Sequence, residues 1–327
     1  MTKASVMIED GQVIDQDGSY RMSMEWYHSQ CCDGPSVSSS GLRKIYHSSP
    51  ADFWAFADLN DRRFPSPSKD AFTYGRAAHS LVLGDEDFHA NFAVVPEDAP
   101  SKPTSAQVSA RNQGRVSDVA QERFAFWDAF EAESEGKEWL SEADLRHIMH
   151  IAERLSESPV MQVVLDGQRE QSLIWKDEPS GIWLKSRLDV LSATGDLADF
   201  KTTRMDTVPR MLRDVRTKGY DMQLGLATMG LEQIMGVEFS SESYAARSAI
   251  LIHVTKSPPY HVVPIEVSFD ALHYGRLKCR KAIDTMRECM VSGVWPGLTE
   301  VIEVYSSDYE ATDLEEKIAA GTLPAFV

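Results

Sequence analysis

The run from Arg187 to Lys201, Arg-Leu-Asp-Val-Leu-Ser-Ala-Thr-Gly-Asp-Leu-Ala-Asp-Phe-Lys, constrains this chain more than any other stretch. Apolar residues alternate on both sides of Ala193-Thr194-Gly195, and a glycine able to take positive φ in a three-residue loop predicts a β-hairpin. A turn centred on Thr194 sets Asp189 opposite Asp199 and Arg187 opposite Lys201. Leu188, Val190, Ala198 and Phe200 then point to the other face, because strand side chains alternate with period two. One face is expected to be core and the other chemistry. Facing carboxylates about 4.5 to 5.5 Å apart at Cβ repel each other, so a cation between them is expected. A hard ion such as Mg²⁺ suits the place, since it takes one or two carboxylates and keeps waters for substrate phosphate. Lys201, two residues beyond Asp199, reaches the same oxygens. An ordinary hairpin with a wet charged face reads the same way from Asp-x-Lys alone, so the rest of the chain has to decide.

At 327 residues, one large α/β domain is expected over 36–300, with an N-terminal extension over 1–35 and an acidic tail over 301–327. A hydrophobic fraction of 43% and a charged fraction of 25% supply a core and exclude a disordered chain. No apolar run approaches the ~18 residues of a membrane span, and the N-terminus lacks a basic-then-apolar leader, so the expected location is cytoplasmic with no membrane partner. Cys31-Cys32, Cys279 and Cys289 form neither a disulfide framework nor a Cys-x-x-Cys metal pattern. The net charge of −17 argues against a protein that coats nucleic acid with its whole surface. Between 201 and 218, however, Lys201, Arg204, Arg210, Arg213, Arg216 and Lys218 face only Asp206 and Asp214. A basic mouth on an acidic body focuses a polyanion into a cleft; a solvated basic helix face accounts for the same residues.

In chain order, Ser38-Ser39-Ser40 caps a helix carrying Leu42 and Ile45 inward. Ala71, Tyr74, Ala77, Ala78, Leu81 and Val82 predict a helix over 70–83 that bears His79, with Gly75 leaving room beside it. Residues 88–95 read as a short strand, and 105–158 as a helical insertion without visible chemistry. Strands follow at 170–175, beginning with Glu170, and through the hairpin. Residues 209–234 are helical with a break at Gly219, and Tyr220 and Gln223 share a face. Strands over 249–255 and 260–267 precede a long helix over 269–291, ended by Gly293-Val-Trp-Pro-Gly297.

The resulting order is a helix with His79, strands with Glu170, Asp189 and Asp199-x-Lys201, a helix with Tyr220 and Gln223, and a further strand. This αβββαβ order resembles that of the PD-(D/E)XK nucleases, a restriction-endonuclease-like core with a central mixed sheet flanked by helices. Within them the chain is most similar to the phage exonuclease VIII (RecE-type) group. The similarity rests on Ser38-Ser-Ser-Gly-Leu42, Ser49-Pro-Ala51, Gly75-Arg-Ala-Ala-His-Ser-Leu-Val-Leu83, Glu170-Gln-Ser-Leu-Ile-Trp175, Arg187-Leu-Asp189, Asp199-Phe-Lys-Thr-Thr203, Gly219-Tyr-Asp-Met-Gln223 and Trp295-Pro-Gly297.

The resemblance implies that Asp189, Asp199 and His79 ligate metal, and that Lys201 positions water and stabilises charge on the phosphate. It puts Glu170 near the metal and Gln223 and Tyr220 at the DNA end; Arg187 and, from the basic mouth, Arg204, Arg210 and Arg213 are expected as further DNA contacts. Related nucleases often carry a tyrosine four residues after this glutamine; position 227 is alanine here. The cofactor expected is Mg²⁺, with Mn²⁺ able to substitute because of the imidazole, and the cysteine spacing predicts no iron-sulfur cluster. The function implied is a phage or prophage exodeoxyribonuclease in a bacterial host that resects linear duplex ends 5′ to 3′. It would leave 3′ single strands for an annealing protein and act as a ring-shaped oligomer. An endonuclease, a single-strand-trimming nuclease and a catalytically inactive DNA-binding component are the alternatives.

Overall fold

The computed structural model describes residues 5–65, 70–84, 88–159, 167–192, 195–245, 247–298, 308–320 and 322. The elements in order are β1 (Val6–Met7), β2 (Gly18–Arg21), α1 (Met24–His28), β3 (Ser36–Ser38), α2 (Ser39–His47), α3 (Pro50–Trp54), α4 (Asp70–Leu83), α5 (Phe88–Asn91) and β4 (Phe92–Val95). There follow α6 (Ser105–Asn112), α7 (Asp118–Glu133), β5 (Glu138–Ser141), α8 (Glu142–Ser156), β6 (Gln168–Asp177), β7 (Ile182–Leu191) and β8 (Leu197–Thr203). The chain continues with α9 (Val208–Thr217), α10 (Tyr220–Met235), α11 (Ser241–Tyr244), β9 (Ala249–Thr255), β10 (Val262–Glu266), α12 (Phe269–Ser292) and α13 (Asp308–Ala319).

A mixed sheet runs in the order β1-β2-β6-β7-β8-β9-β10, with β3 pairing parallel to β7. Strand β7 runs antiparallel to both β6 and β8, and β8 pairs parallel with β9 after the α9–α10 crossover. The N-terminal segment supplies edge strands, since β2 pairs with β6 through Gly18↔Ile174. Helices cover both faces. On one lie α2, α10 and α12 around Leu42, Leu184, Leu197, Leu226, Leu251 and Ile283; on the other lie α4 and α8 around Ala77, Ala78, Ile148, Val190, Phe200 and Ile252.

The hairpin register is the one the turn predicts, with Val190↔Ala198 and Leu191↔Leu197, and Gly195 takes φ +93°. Ala193 and Thr194, the centre of that turn, lie outside the described residues. One expectation fails. Leu188 and Val190 do not share a face: Leu188 packs in the core with α10 and α12, and Val190 in the core with α4 and α8. The reason is a kink. The β7–β8 ladder stops at Val190, and Glu170, level with Asp189 on β6, takes φ +53° and drops out of the ladder between Arg169↔Val190 and Gln171↔Leu188. Both faces of the hairpin are therefore core, and the chemistry sits at the end of the sheet where the strands part.

The segment over 88–95 opens as α5 before β4, and the insertion contains a strand, β5, that pairs parallel with β4. The insertion buttresses α4: Thr73 donates to Oε2 of Glu138 at 2.5 Å, and Arg76 pairs with the same carboxylate. A Cβ at Gly75 would meet only Thr202 Oγ1 at 3.6 Å, so the position beside His79 is not crowded. Helices α10 and α12 cross in backbone contact. A Cβ at Gly225 would lie 2.7 Å from the Arg276 nitrogen, and one at Gly275 would lie 2.0 Å from the Asp221 carbonyl oxygen, so only glycines allow this approach. That crossing fixes the start of α10, where Tyr220 and Gln223 stand.

Candidate metal centre

Three side chains converge where β7 leaves β8. His79 on α4 sets Nδ1 3.2 Å from Oε1 of Glu170 and Nε2 3.0 Å from Oδ1 of Asp189. One ligand atom from each lies within 4.8 Å of the others. The left-handed backbone of Glu170 is unfavourable for a residue with a Cβ and coincides with this site, a common place for such strain. Arg187 donates Nε to Oε2 of Glu170 and Nη1 to the Met22 carbonyl at 3.1 Å. Both side chains of that pair are only 9% exposed.

Asp189 replaces the missing rungs of the ladder. Its Oδ2 accepts the backbone N–H of Phe200 at 2.6 Å, so the carboxylate bridges the diverging strands. Asp199, one residue beyond the last rung on β8, accepts Gln223 Nε2 on Oδ1 at 2.7 Å and has Lys201 Nζ 2.5 Å from Oδ2. The Lys201 ammonium lies 5.1 Å from the Tyr220 ring centre, and the Arg43 guanidinium lies 5.8 Å from it.

The charges are unevenly settled. Burial, with Asp189 adding to it, pushes Asp199 up to about 6 against the pull of Lys201. Burial likewise pushes Glu170 up to about 7, Asp189 adding and His79 and Arg187 opposing. For Asp189 burial is outweighed by His79, Lys201 and the Phe200 N–H, so its carboxyl is held below the usual range. Burial of Lys201 is outweighed by Asp199 and Asp189, which raise it. Oε1 of Glu170 and Oδ2 of Asp199 are buried and accept no hydrogen bond; their contacts, with His79 and Lys201, are ion pairs. A surplus of buried carboxylate with orphaned oxygens, beside an imidazole, fits a divalent cation with oxygen and nitrogen preferences such as Mg²⁺ or Mn²⁺.

Of the residues the sequence singles out, His79, Glu170, Asp189, Asp199, Lys201, Tyr220 and Gln223 come together. Arg187 does not face Lys201 and is not open to DNA, because it is buried against Glu170. Arg204, Arg210 and Arg213 are exposed and stand apart from the cluster, with Arg210 paired to Asp206 at 2.9 Å. Two residues escape a sequence reading. Arg43, on α2, sits by Tyr220 and donates to the Lys218 carbonyl at 2.9 Å; Lys256 follows β9. A lone cation in a helix or after a strand carries no periodic or spacing signal.

The family model described as "PDDEXK-like domain of unknown function (DUF3799)" matches residues 38–308. The chain belongs to this family. No curated protein matches the sequence. Among solved structures, one from Eubacterium rectale described as "Putative exonuclease" is 16% identical, with a TM-score of 0.47, covering 90% of this chain and 98% of that one. The protein SSO0001 is 14% identical, with a TM-score of 0.25, covering 66% and 86%. The central mixed sheet with helices on both faces is the PDDEXK-like nuclease fold, and no helix among the described residues is long and apolar enough to cross a membrane.

Proposed function

We propose that this protein is a divalent-metal-dependent exodeoxyribonuclease that resects linear duplex DNA from the 5′ side. It would leave 3′ single strands for an annealing partner in phage-type recombination. The observation that carries this reading is the convergence of His79, Glu170 and Asp189 beside Asp199 and Lys201 in a PDDEXK-like fold.

His79, Glu170, Asp189 and Asp199 are the side chains that would hold the ion, Mg²⁺ or in its place Mn²⁺. Bound there, the cation supplies Lewis-acid polarisation of the scissile phosphate and neutralises charge developing on it. Lys201 donates from its ammonium to a phosphate oxygen or orients the attacking water, and the face of Tyr220 steadies that charge. Gln223 fixes one oxygen of Asp199 and so leaves the other for Lys201 or the ion. Arg187 neutralises one oxygen of Glu170 and leaves the other toward His79. A ring of subunits with an acidic exterior and basic inner mouths suits resection from an end, and the net charge of −17 is compatible with it.

The test is digestion of end-labelled linear duplex with Mg²⁺ beside a closed circle and the Asp199→Ala variant. Release of 5′ label with the circle intact and the variant inert is expected. A cut circle would replace this reading with an endonuclease. No cutting with Mg²⁺ or Mn²⁺ would leave a DNA-binding component.

A further inference from the structure

The strand ends beyond Lys201 carry cations that the metal cluster does not use. In the β8–β9 register Lys201 lies beside His253 and Thr203 beside Thr255, so Arg204 and Lys256 leave the sheet side by side. The Lys256 N–H donates to the Thr203 carbonyl at 2.9 Å, which ties the two strand ends together. Its ammonium stands 4.5 Å from the ring centre of Tyr74, five residues before His79 on α4.

Two rulers give the distance from the chemistry. Three strand residues beyond Lys201 amount to about 10 Å. Five helical residues before His79 amount to about 7.5 Å. Both lie within about three base steps along a duplex axis, at about 3.4 Å each.

Two cations of the basic run are paired with acids, Arg210 with Asp206 and Lys218 with Asp214 at 2.7 Å. Among the described residues Arg204 and Lys256 have no ion pair. Burial, with Arg204 next and Lys218 contributing, draws the Lys256 ammonium below the usual lysine range, and Asp144 offsets only part of that. Two like charges held together in an acidic protein create a local field that an anion relieves.

We infer that Arg204 and Lys256 form a phosphate subsite that holds a backbone phosphate of the DNA a few nucleotides from the scissile bond. The inference rests on the nuclease reading above. Sequence-independent contacts of this kind set register on the strand and make binding salt-dependent.

The experiment is fluorescence anisotropy of labelled duplex DNA over a salt series, with Ca²⁺ in place of Mg²⁺, for wild type, Lys256→Met, Lys256→Arg and Arg204→Met. Methionine keeps an apolar stem on Tyr74 and removes only the charge. Lys256→Met and Arg204→Met should each weaken binding, and each should reduce the slope of log K against log[salt] by up to about 0.9, the value for one phosphate. Lys256→Arg should retain the wild-type slope, and thermal midpoints should be unchanged. A neutral methylphosphonate at the contacted phosphate should abolish the difference between wild type and Lys256→Met. If wild type binds and cuts DNA while Lys256→Met keeps its affinity and slope, the subsite is overturned and the nuclease reading stands. If wild type binds no DNA, both fall.

Discussion

Asp189 and Asp199 stand one residue beyond the same rung of the β7–β8 ladder, yet the protein treats them in opposite ways. Asp189 is satisfied from within: His79 meets one oxygen and the Phe200 N–H the other, and its charge is stabilised. Asp199 is ionised against burial and against Asp189, and its main counter-charge is Lys201, a group the proposed reaction needs on substrate. Glu170 belongs with Asp199 in this respect, although its counter-charge is the structural Arg187. One half of the site is thus built by the fold, and the other is held ready for an ion and a phosphate.

The largest expected effect falls on both aspartates, and stability separates them. Asp189→Asn and Asp199→Asn should each lower cleavage by about 10³-fold or more, since each removes a proposed ligand charge. Their stabilities in chelator should diverge. Asp199→Asn should leave the thermal midpoint unchanged or raised, whereas Asp189→Asn should lose about 1–2 kcal/mol as His79 and the Phe200 N–H lose an anionic acceptor. Equal losses in thermal melts would erase the comparison. Gln223→Ala acts on the Asp199 half alone, and steady-state rates should fall about 10–100-fold, as for other groups that orient a metal ligand.

Gly225→Ala sharpens the comparison through packing. The new Cβ would sit 2.7 Å from backbone on α12, so α10 must shift. The expected loss is about 1–3 kcal/mol in chemical denaturation, together with weakened activity, since α10 carries Tyr220 and Gln223 and not His79. The smallest effect comes from a carboxylate outside the site. Asp177, at the far end of β6 from Glu170, accepts from Arg280 at 2.7 Å and from Ser180; these outweigh burial and hold its carboxyl below the usual range. Its contribution is present above the unfolded carboxyl pKa and is lost as pH falls through the lower folded value. Arg280→Ala should therefore lower stability by about 1 kcal/mol at pH 7, and the gap to wild type in urea melts should close at pH below about 4.

Most of the frame was legible because it is local. Period-two alternation around Gly195 gives the β7–β8 register, the spacing from Ala71 to Val82 gives α4, and Gly219 marks the break before α10. The kink was not legible. It arises from Glu170 and Asp189 meeting across β6 and β7, a tertiary event that splits Leu188 from Val190 and turns a two-faced hairpin into a buried one. Arg187 was legible as a basic residue near the metal, but its burial depends on the Met22 carbonyl, 165 residues away. The strand β5 was missed inside helical spacing because, among the described residues, its four residues pair with β4 alone. Lys256 is near the site only because β9 lies parallel to β8 after a long crossover.

The most direct test of the divided site is calorimetric titration of Mn²⁺ into chelator-stripped protein, comparing wild type with His79→Ala, Asp189→Asn and Asp199→Asn. The account predicts saturable binding by wild type that is lost or weakened in each of the three variants. Binding that is the same in all four proteins would contradict it.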